Sequence, residues 1–235
     1  MQSPFANIPP VVKNLIIINI LFFIATYALA QFVDLGQLFA AYYPASPLFR
    51  PWQPLTYMFM HGGFSHIFFN MFALFSFGPL LEYTLGSKRF FNYYFITGIG
   101  GYVLYTLVQA LQVHAITGGF SIANPQYQES FAVYGEKAGT LMGLYFGPMV
   151  GASGAIFGLL LAFGVLFPEL EMMIMFIPVP VKAKYFVIGY IAIELFAGFG
   201  RFQGDTVAHF AHLGGALFGF ILLKIWGVKR PNNFY

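Results

Sequence analysis

Long apolar runs separated by short polar connections make up most of this 235-residue chain. Six runs are long enough to form helices that cross a hydrocarbon core, which takes roughly 20 residues. They cover residues 11–30, 65–81, 90–111, 150–167, 183–199 and 207–226. The fifth is the weakest because it is short and contains Glu194. The pattern predicts an all-α fold, a polytopic bundle of six transmembrane helices, forming a single domain over residues 1–235.

Composition excludes a soluble globular protein. Apolar residues make up 59% of the chain and charged residues only 8%, whereas about a quarter of the residues of a soluble domain are charged. There is no cysteine, which excludes disulfides and thiol catalysis. Most of the chain is therefore predicted to lie in the lipid bilayer.

The net charge of +3 could suggest nucleic-acid binding, but the basic residues follow the connections between spans. With a cytoplasmic N-terminus, three fall outside: Arg50, Lys137 and Arg201. The other eight fall inside: Lys13, Lys88, Arg89, Lys182, Lys184, Lys224, Lys229 and Arg230. This asymmetry fits the positive-inside rule. It predicts that both termini are cytoplasmic and that nucleic acid is not a partner.

The first apolar run has a second interpretation. Lys13, the run itself and Ala28-Leu29-Ala30 resemble a cleavable signal peptide. The run is long for such a segment and contains Asn14 and Asn19. These features favour an uncleaved first span.

Two connections are long. Residues 31–56 are rich in Pro, Tyr, Phe and Trp, which is typical of a segment in the outer membrane interface. Residues 112–149 carry many Gly and polar side chains. We expect this second segment to be a loop outside the membrane, in water.

Polar side chains within the spans are costly in lipid and are therefore candidates for function. They are His66, Asn70, Ser153, Glu194, His209 and His212. In the predicted topology the second, fourth and sixth spans all have their polar residues near the outer end. His66, Asn70, Ser153 and His212 are therefore expected at similar depth.

Small residues favour contact between the fourth and sixth spans. Gly154 and Gly158 form one small-xxx-small pair, and Gly215 and Gly219 form another, a spacing that lets helix backbones approach closely. His212 shares a helix face with Gly215 and Gly219. The glycines could simply pack helices, but that explanation leaves the serine and histidine without a role.

The expected cluster has the parts of an acyl-transfer site. Serine needs a base to take its proton, and a neutral imidazole can do so, so Ser153 and His212 are predicted to form a catalytic dyad. The N–H groups of Ala152 and Ser153, with the side chains of His66 and Asn70, could stabilise an oxyanion. We expect no third, acidic member: Asp205 lies toward water and Glu194 is on another span.

These residues resemble the rhomboid family of intramembrane serine proteases. The GxSG nucleophile motif of that family reads Gly151-Ala152-Ser153-Gly154 here, and its AHxxGxxxG motif runs from Ala211 to Gly219. Its HxxxN motif matches His66 to Asn70, and its GxxxE motif matches Gly78 to Glu82. The resemblance extends over all six spans.

The resemblance implies a serine endopeptidase in a bacterial inner membrane. It would hydrolyse peptide bonds in or near the transmembrane segments of single-span or other membrane proteins, with its site open to the outer side. Ser153 would be the nucleophile and His212 the base, while His66, Asn70 and Ala152 would form the oxyanion hole. No cofactor and no metal are implied. The second and fifth spans would admit the substrate laterally.

The sequence departs from the family pattern at two positions. Many members have Trp-Arg in the first loop, where this chain has Trp52-Gln53. Many carry a tyrosine four residues after the nucleophile, where this chain has Phe157.

Other functions are weighed against this one. A metal site could form from His61, His66, His209 and His212, but there is no HExxH helix and we expect no carboxylate beside these histidines. An aspartyl intramembrane protease would need its aspartates in spans, whereas the only two, Asp34 and Asp205, lie in connections. A transporter would explain Glu194, for which a hydrogen bond within the bundle is the simpler role. A non-catalytic rhomboid-like binder is the last alternative.

Overall fold

The computed structural model describes residues 8–174, 177–200 and 208–231. The described helices are α1 (Pro10–Ala28), α2 (Leu35–Phe39), α3 (Gln53–Thr56), α4 (Phe64–Leu85), α5 (Ser87–Thr117), α6 (Glu129–Ala132), α7 (Ala138–Phe146), α8 (Ser153–Leu166), α9 (Ala183–Gly200) and α10 (His209–Ile225). Strands β1 (Glu171–Ile174) and β2 (Ile177–Lys182) form an antiparallel hairpin between α8 and α9. The predicted helical membrane bundle is confirmed.

Four of these helices, α1, α4, α5 and α9, are long and apolar enough to cross a membrane. The apolar helices α8 and α10 are shorter, with 14 and 17 residues, so the count of six spans stays a prediction. The predicted third run, 90–111, is part of the 31-residue helix α5. Residues 201–207, which include Arg201, Asp205 and the expected start of the sixth span, lie outside the described part of the chain.

Helix α8 lies at the centre of the bundle, in contact with α4, α5, α9 and α10. Most of its residues are buried. Its contact with α10 is a backbone contact, because a Cβ atom added to Gly215 would collide with the carbonyl group of Gly154. A Cβ atom added to Gly214 would lie 2.6 Å from the carbonyl oxygen of Gly100 on α5. The prediction that glycines bring the fourth and sixth apolar helices together is confirmed.

The N-terminus of α1 is tied to α4 by a buried carboxylate. Glu82, which is 2% exposed, accepts hydrogen bonds from the backbone N–H groups of Val11 at 3.1 Å and Val12 at 2.9 Å. The hydroxyl group of Ser87 donates to it at 2.7 Å. Because the first N–H groups of a helix have no partner within the helix, Glu82 stabilises the start of α1. The side chain of Val12 also fills the space above Gly78.

The segment between α1 and α4 is held by side-chain bonds to its own backbone. Gln53 is fully buried; its amide donates to the carbonyl group of Leu48 at 3.1 Å, and its oxygen accepts from the N–H of Arg50 at 2.9 Å. The indole of Trp52 donates to the carbonyl group of Leu38 at 2.9 Å. Gln53, which stands where many rhomboids have arginine, therefore fixes this loop through the loop's own carbonyl groups.

The expectation that residues 112–149 form a loop is wrong in part, whereas their position outside the membrane stays a prediction. Helix α5 continues to Thr117, and α6 and α7 follow. Their apolar side chains form a second small core with one residue of the first connection: Tyr43, Val113, Ile122, Phe131, Leu141 and Tyr145. The phenol group of Tyr43 also donates to the carbonyl group of Phe120 at 2.8 Å. Helix α7 thus has a buried apolar face, which the polar composition of the whole segment did not indicate.

Candidate active site

Ser153 is the first residue of α8. The chain reaches it through Gly151, whose φ of 120° is a conformation that residues with a Cβ rarely adopt. A Cβ atom at this position would also lie 2.6 Å from Nε2 of His66. Only glycine therefore lets the chain pass His66 and place Ser153 at the start of the helix.

His212 lies in the first turn of α10, directly opposite Ser153. Its Nε2 atom is 2.8 Å from Oγ of Ser153, a normal hydrogen-bond distance. The backbone contact between Gly154 and Gly215 fixes the spacing of the two helices next to this pair. The ring of Phe157 stacks on one face of the imidazole of His212.

Glu194 completes a chain of hydrogen bonds that was not expected from the sequence. Its Oε2 atom lies 2.9 Å from Nδ1 of His212 and 2.7 Å from Nδ1 of His209. The expectations that no acidic group accompanies the pair, and that no carboxylate lies beside these histidines, are therefore wrong. The simpler role foreseen for Glu194, a hydrogen bond within the bundle, is confirmed.

A signal for this contact was present in the sequence. Glu194 is the twelfth residue of α9, so it lies roughly 17 Å along that helix at 1.5 Å per residue. This places it in the same half of the bundle as the first turn of α10. Ser153 and His212 were expected to meet because they lie at similar depth in the bundle, and Glu194 lies at that depth as well.

The two side chains expected at the oxyanion hole lie on one face of α4. The N–H of Gly62 approaches Nδ1 of His66 at 3.4 Å, which leaves the Nε2 of that ring as the protonated nitrogen. The amide of Asn70 donates to the carbonyl group of His66 at 2.9 Å and has a second N–H to offer. Ala152 is the fully buried residue that precedes α8.

A cavity of about 810 Å³ joins these groups. Its walls include Ser153, His212, Glu194 and His209 on one side and His66 and Asn70 on the other. Ala152 is not among its lining residues. The rest of the wall is mainly apolar, with Phe69 of α4 and Tyr190 of α9. The cavity is large enough for a short extended peptide segment.

Part of this cluster also has the composition of a metal site. One ligand atom from each of Glu194, His209 and His212 lies within 4.8 Å of the others. His61 and His66 form a separate pair, with ring centroids 5.1 Å apart. In the described residues the carboxylate oxygen of Glu194 already accepts from both nearby imidazoles, and this hydrogen bonding accounts for the arrangement.

Comparison with known proteins identifies the family. The family model for the Rhomboid domain matches residues 49–228. The chain belongs to the rhomboid family. The bundle is accordingly that of an integral membrane protein.

Several other rhomboid proteins resemble this chain. Rhomboid protein 1, mitochondrial, of Saccharomyces cerevisiae is 30% identical over 172 residues, or 73% of this chain and 40% of its own length. Rhomboid-like protease 3 of Toxoplasma gondii is 33% identical over 108 residues, 45% of this chain and 41% of its own. Rhomboid protease GluP of Bacillus subtilis is 31% identical over 183 residues, 78% of this chain and 27% of its own. The match spans less than half the length of each of these relatives.

Proposed function

We propose that this rhomboid is an intramembrane serine endopeptidase. It hydrolyses peptide bonds in or near the transmembrane segments of other membrane proteins. The observation that carries the proposal is the 2.8 Å contact between Oγ of Ser153 and Nε2 of His212. A serine is a weak nucleophile until a neighbouring base accepts its proton, and this contact supplies the base. The protease names of two relatives support the same activity.

In the proposed reaction, Oγ of Ser153 attacks the scissile carbonyl carbon while Nε2 of His212 takes the hydroxyl proton. Collapse of the tetrahedral intermediate breaks the C–N bond, and the protonated imidazole gives its proton to the leaving amine. Water then attacks the acyl-enzyme ester with His212 again as the base. The imidazolium of His212 then gives the proton taken from water to Oγ of Ser153, as the ester C–O bond breaks and the carboxylic acid product leaves.

The negative charge on the carbonyl oxygen requires preorganised donors. The backbone N–H groups of Ala152 and Ser153 are suited to this role because the first N–H groups of α8 have no partner within the helix. His66, through Nε2, and Asn70, through its amide, complete the proposed oxyanion hole from the facing helix. Both side chains line the same cavity as Ser153.

The surroundings of the site support the proposed substrate class. The cavity lies between apolar helices and is lined from α4 by Phe69 and from α9 by Tyr190. We therefore propose that a membrane-spanning segment enters between α4 and α9. A carbonyl group in an intact helix is already hydrogen-bonded, so the segment must unwind before Ser153 can reach it.

The proposed location is a bacterial inner membrane with both termini cytoplasmic and the site open to the outer side. The distribution of basic residues supports this orientation. Reporter fusions at the two termini test it, and an external reporter at either end would contradict it. Cross-linking α4 to α9 should abolish cleavage if the substrate enters between them.

The catalytic proposal is tested in proteoliposomes with a fluorophosphonate probe and a model membrane-spanning substrate. Wild-type protein should label and cleave, whereas Ser153→Ala and His212→Ala should do neither. Ser76→Ala is the matched control, since among the described residues the Ser76 hydroxyl bonds within its own helix, to the carbonyl group of Phe72, and full activity is expected. Undiminished cleavage by Ser153→Ala would overturn the proposal. A protein that binds the substrate without labelling or cleavage would be a non-catalytic rhomboid-like binder.

A further inference from the structure

One oxygen atom of Glu194 is bonded to two imidazoles. Its Oε2 lies 2.9 Å from Nδ1 of His212 and 2.7 Å from Nδ1 of His209. Glu194 is 4% exposed and belongs to α9, whereas both histidines belong to α10. We propose that Glu194 is a positioning residue that holds His212 in the tautomer needed for proton transfer, and that His209 holds Glu194 in place. This inference deepens the proposed function and rests on it.

The tautomer follows from the donors and acceptors available. An ionised carboxylate can only accept hydrogen bonds, and a neutral imidazole has one N–H and one lone pair. Nδ1 of His212 must therefore carry the proton that bonds to Oε2 of Glu194. Nε2 of His212 is left with its lone pair, and that atom lies 2.8 Å from Oγ of Ser153. The opposite tautomer would point an N–H at the serine and could not accept its proton.

His209 fixes the carboxylate in the same way. It lies three residues before His212 on α10, so the two side chains are neighbours on the helix surface. Its Nδ1 and that of His212 both lie within hydrogen-bond distance of the same oxygen of Glu194. Rotation of the carboxylate would break both contacts at once. The pair of histidines therefore holds Glu194 with its Oε2 atom toward His212.

The carboxylate also acts once His212 has taken the proton. The imidazolium then formed lies in a largely apolar, buried site, where an unpaired charge is costly. Glu194 provides the opposite charge at hydrogen-bond distance, without itself becoming protonated. Glu194 lines the cavity, but the hydrogen bonds of its carboxylate in the described residues go to His209 and His212 and not to Ser153, so its effect on the nucleophile passes through His212.

Kinetics of the full-length protein in proteoliposomes provide the first test. In Glu194→Gln the amide can donate to Nδ1 and favour the opposite tautomer of His212. We expect kcat to fall by roughly 10²- to 10⁴-fold with little change in KM. The upper limit is the loss of about 10⁴-fold seen when asparagine replaces the aspartate of a serine protease triad. His209→Leu should lower kcat by about 10-fold or more, as expected for a lost hydrogen bond to a charged group. His209→Gln, which keeps a donor, should recover part of that loss.

A spectroscopic measurement separates positioning from a purely structural effect. In ¹⁵N-histidine-labelled Ser153→Ala protein, the nitrogen shifts of His212 should report the Nδ1–H form. In Ser153→Ala/Glu194→Gln they should move toward the Nε2–H form. An Nε2–H form of His212 with Glu194 intact would overturn the inference, and this result needs no Glu194 variant to fold. Unchanged kcat in a folded Glu194→Gln protein would overturn it as well.

The two proposals fail in different ways. If Ser153→Ala cleaved normally, the serine mechanism would be wrong and the role of Glu194 in that mechanism would fall with it. If Ser153→Ala were inactive but Glu194→Gln were fully active, only the inference about Glu194 would be wrong.

Discussion

The imidazole of His212 lies flat on the ring of Phe157, with centroids 4.2 Å apart and the ring planes 5° from parallel. Phe157 is on α8, one turn beyond Ser153, and is 5% exposed. The ring of His212 is thus restrained by the phenyl face on one side and by Glu194 at its edge. Many rhomboids have tyrosine where this chain has Phe157, and the stacking needs no hydroxyl group.

Removal of this stacking should weaken catalysis modestly. We expect Phe157→Leu to lower kcat about 2- to 10-fold, because a stacked ring pair contributes about 0.5–1.5 kcal/mol beyond its burial. Phe157→Tyr, which keeps the ring, should stay close to wild type. Phe163→Leu is the matched control: Phe163 lies on the same helix and is 4% exposed, but its ring packs against Phe77 and Phe167 among the described residues. An equal loss of kcat in Phe157→Leu and Phe163→Leu would contradict a specific role for the stacking.

The close approach of α8 and α10 should be sensitive to a single methyl group. Gly215→Ala would place a Cβ atom against the carbonyl group of Gly154 and push His212 away from Ser153. A misplacement of about 1 Å can cost about 10²-fold in rate, and we expect a loss of that size in cleavage, together with a lower melting temperature. Gly189→Ala on α9 is the control, because its added Cβ meets no atom of another described element within 4 Å. Equal activity in the two variants would contradict the prediction.

Glu82 should stabilise the fold without affecting the chemistry. In Glu82→Gln the N–H groups of Val11 and Val12 lose a charged acceptor, and hydrogen bonds to charged groups contribute about 1.5–3 kcal/mol. We expect a lower melting temperature in detergent and faster hydrogen exchange at Val11 and Val12. Ser87→Ala, which removes only the 2.7 Å hydroxyl contact, should have a smaller effect. Unchanged exchange at the start of α1 would show that Glu82 does not anchor it.

His61 should make stability depend on pH. Burial, with the neighbouring His66, lowers the pKa of His61 from 6.5 to about 4. Between these two values the unfolded chain binds a proton that the folded protein does not, so stability falls as the pH drops from about 6.5 toward 4. His61→Phe should remove this contribution. Unfolding midpoints of the two proteins from pH 4 to pH 7 provide the measurement, and parallel curves would contradict the prediction.

The fold could be predicted because the membrane restricts the alternatives. A continuous apolar run as long as residues 90–111 crosses lipid as a helix, in which every backbone group is bonded within the segment. The positions of Gly154 and Gly215 then indicated which helices meet. The segment 112–149 was harder, because it lies beyond the apolar runs and its small core depends on contacts with a distant residue, Tyr43.

The candidate site was predicted where motif and depth agreed, as for Ser153 and His212. The contact of Glu194 was missed because it depends on the lateral position of α9 beside α10, and α9 has no small-xxx-small pair that would indicate this neighbour. The role of Gln53 was missed for a similar reason. Its partners are backbone carbonyl groups, whose direction depends on the path of the loop and not on residue type.

The short helix α8 has a consequence for how the protein responds to the membrane itself. Its 14 residues rise about 21 Å, less than the roughly 30 Å of a typical hydrocarbon core, and most of them are covered by four other helices. Lipid tails therefore meet mainly the surrounding helices. A change in bilayer thickness reaches Ser153 only through the tilt of those helices. Because α8 and α10 meet through their backbones at Gly154 and Gly215, we expect this contact to limit any resulting change at Ser153.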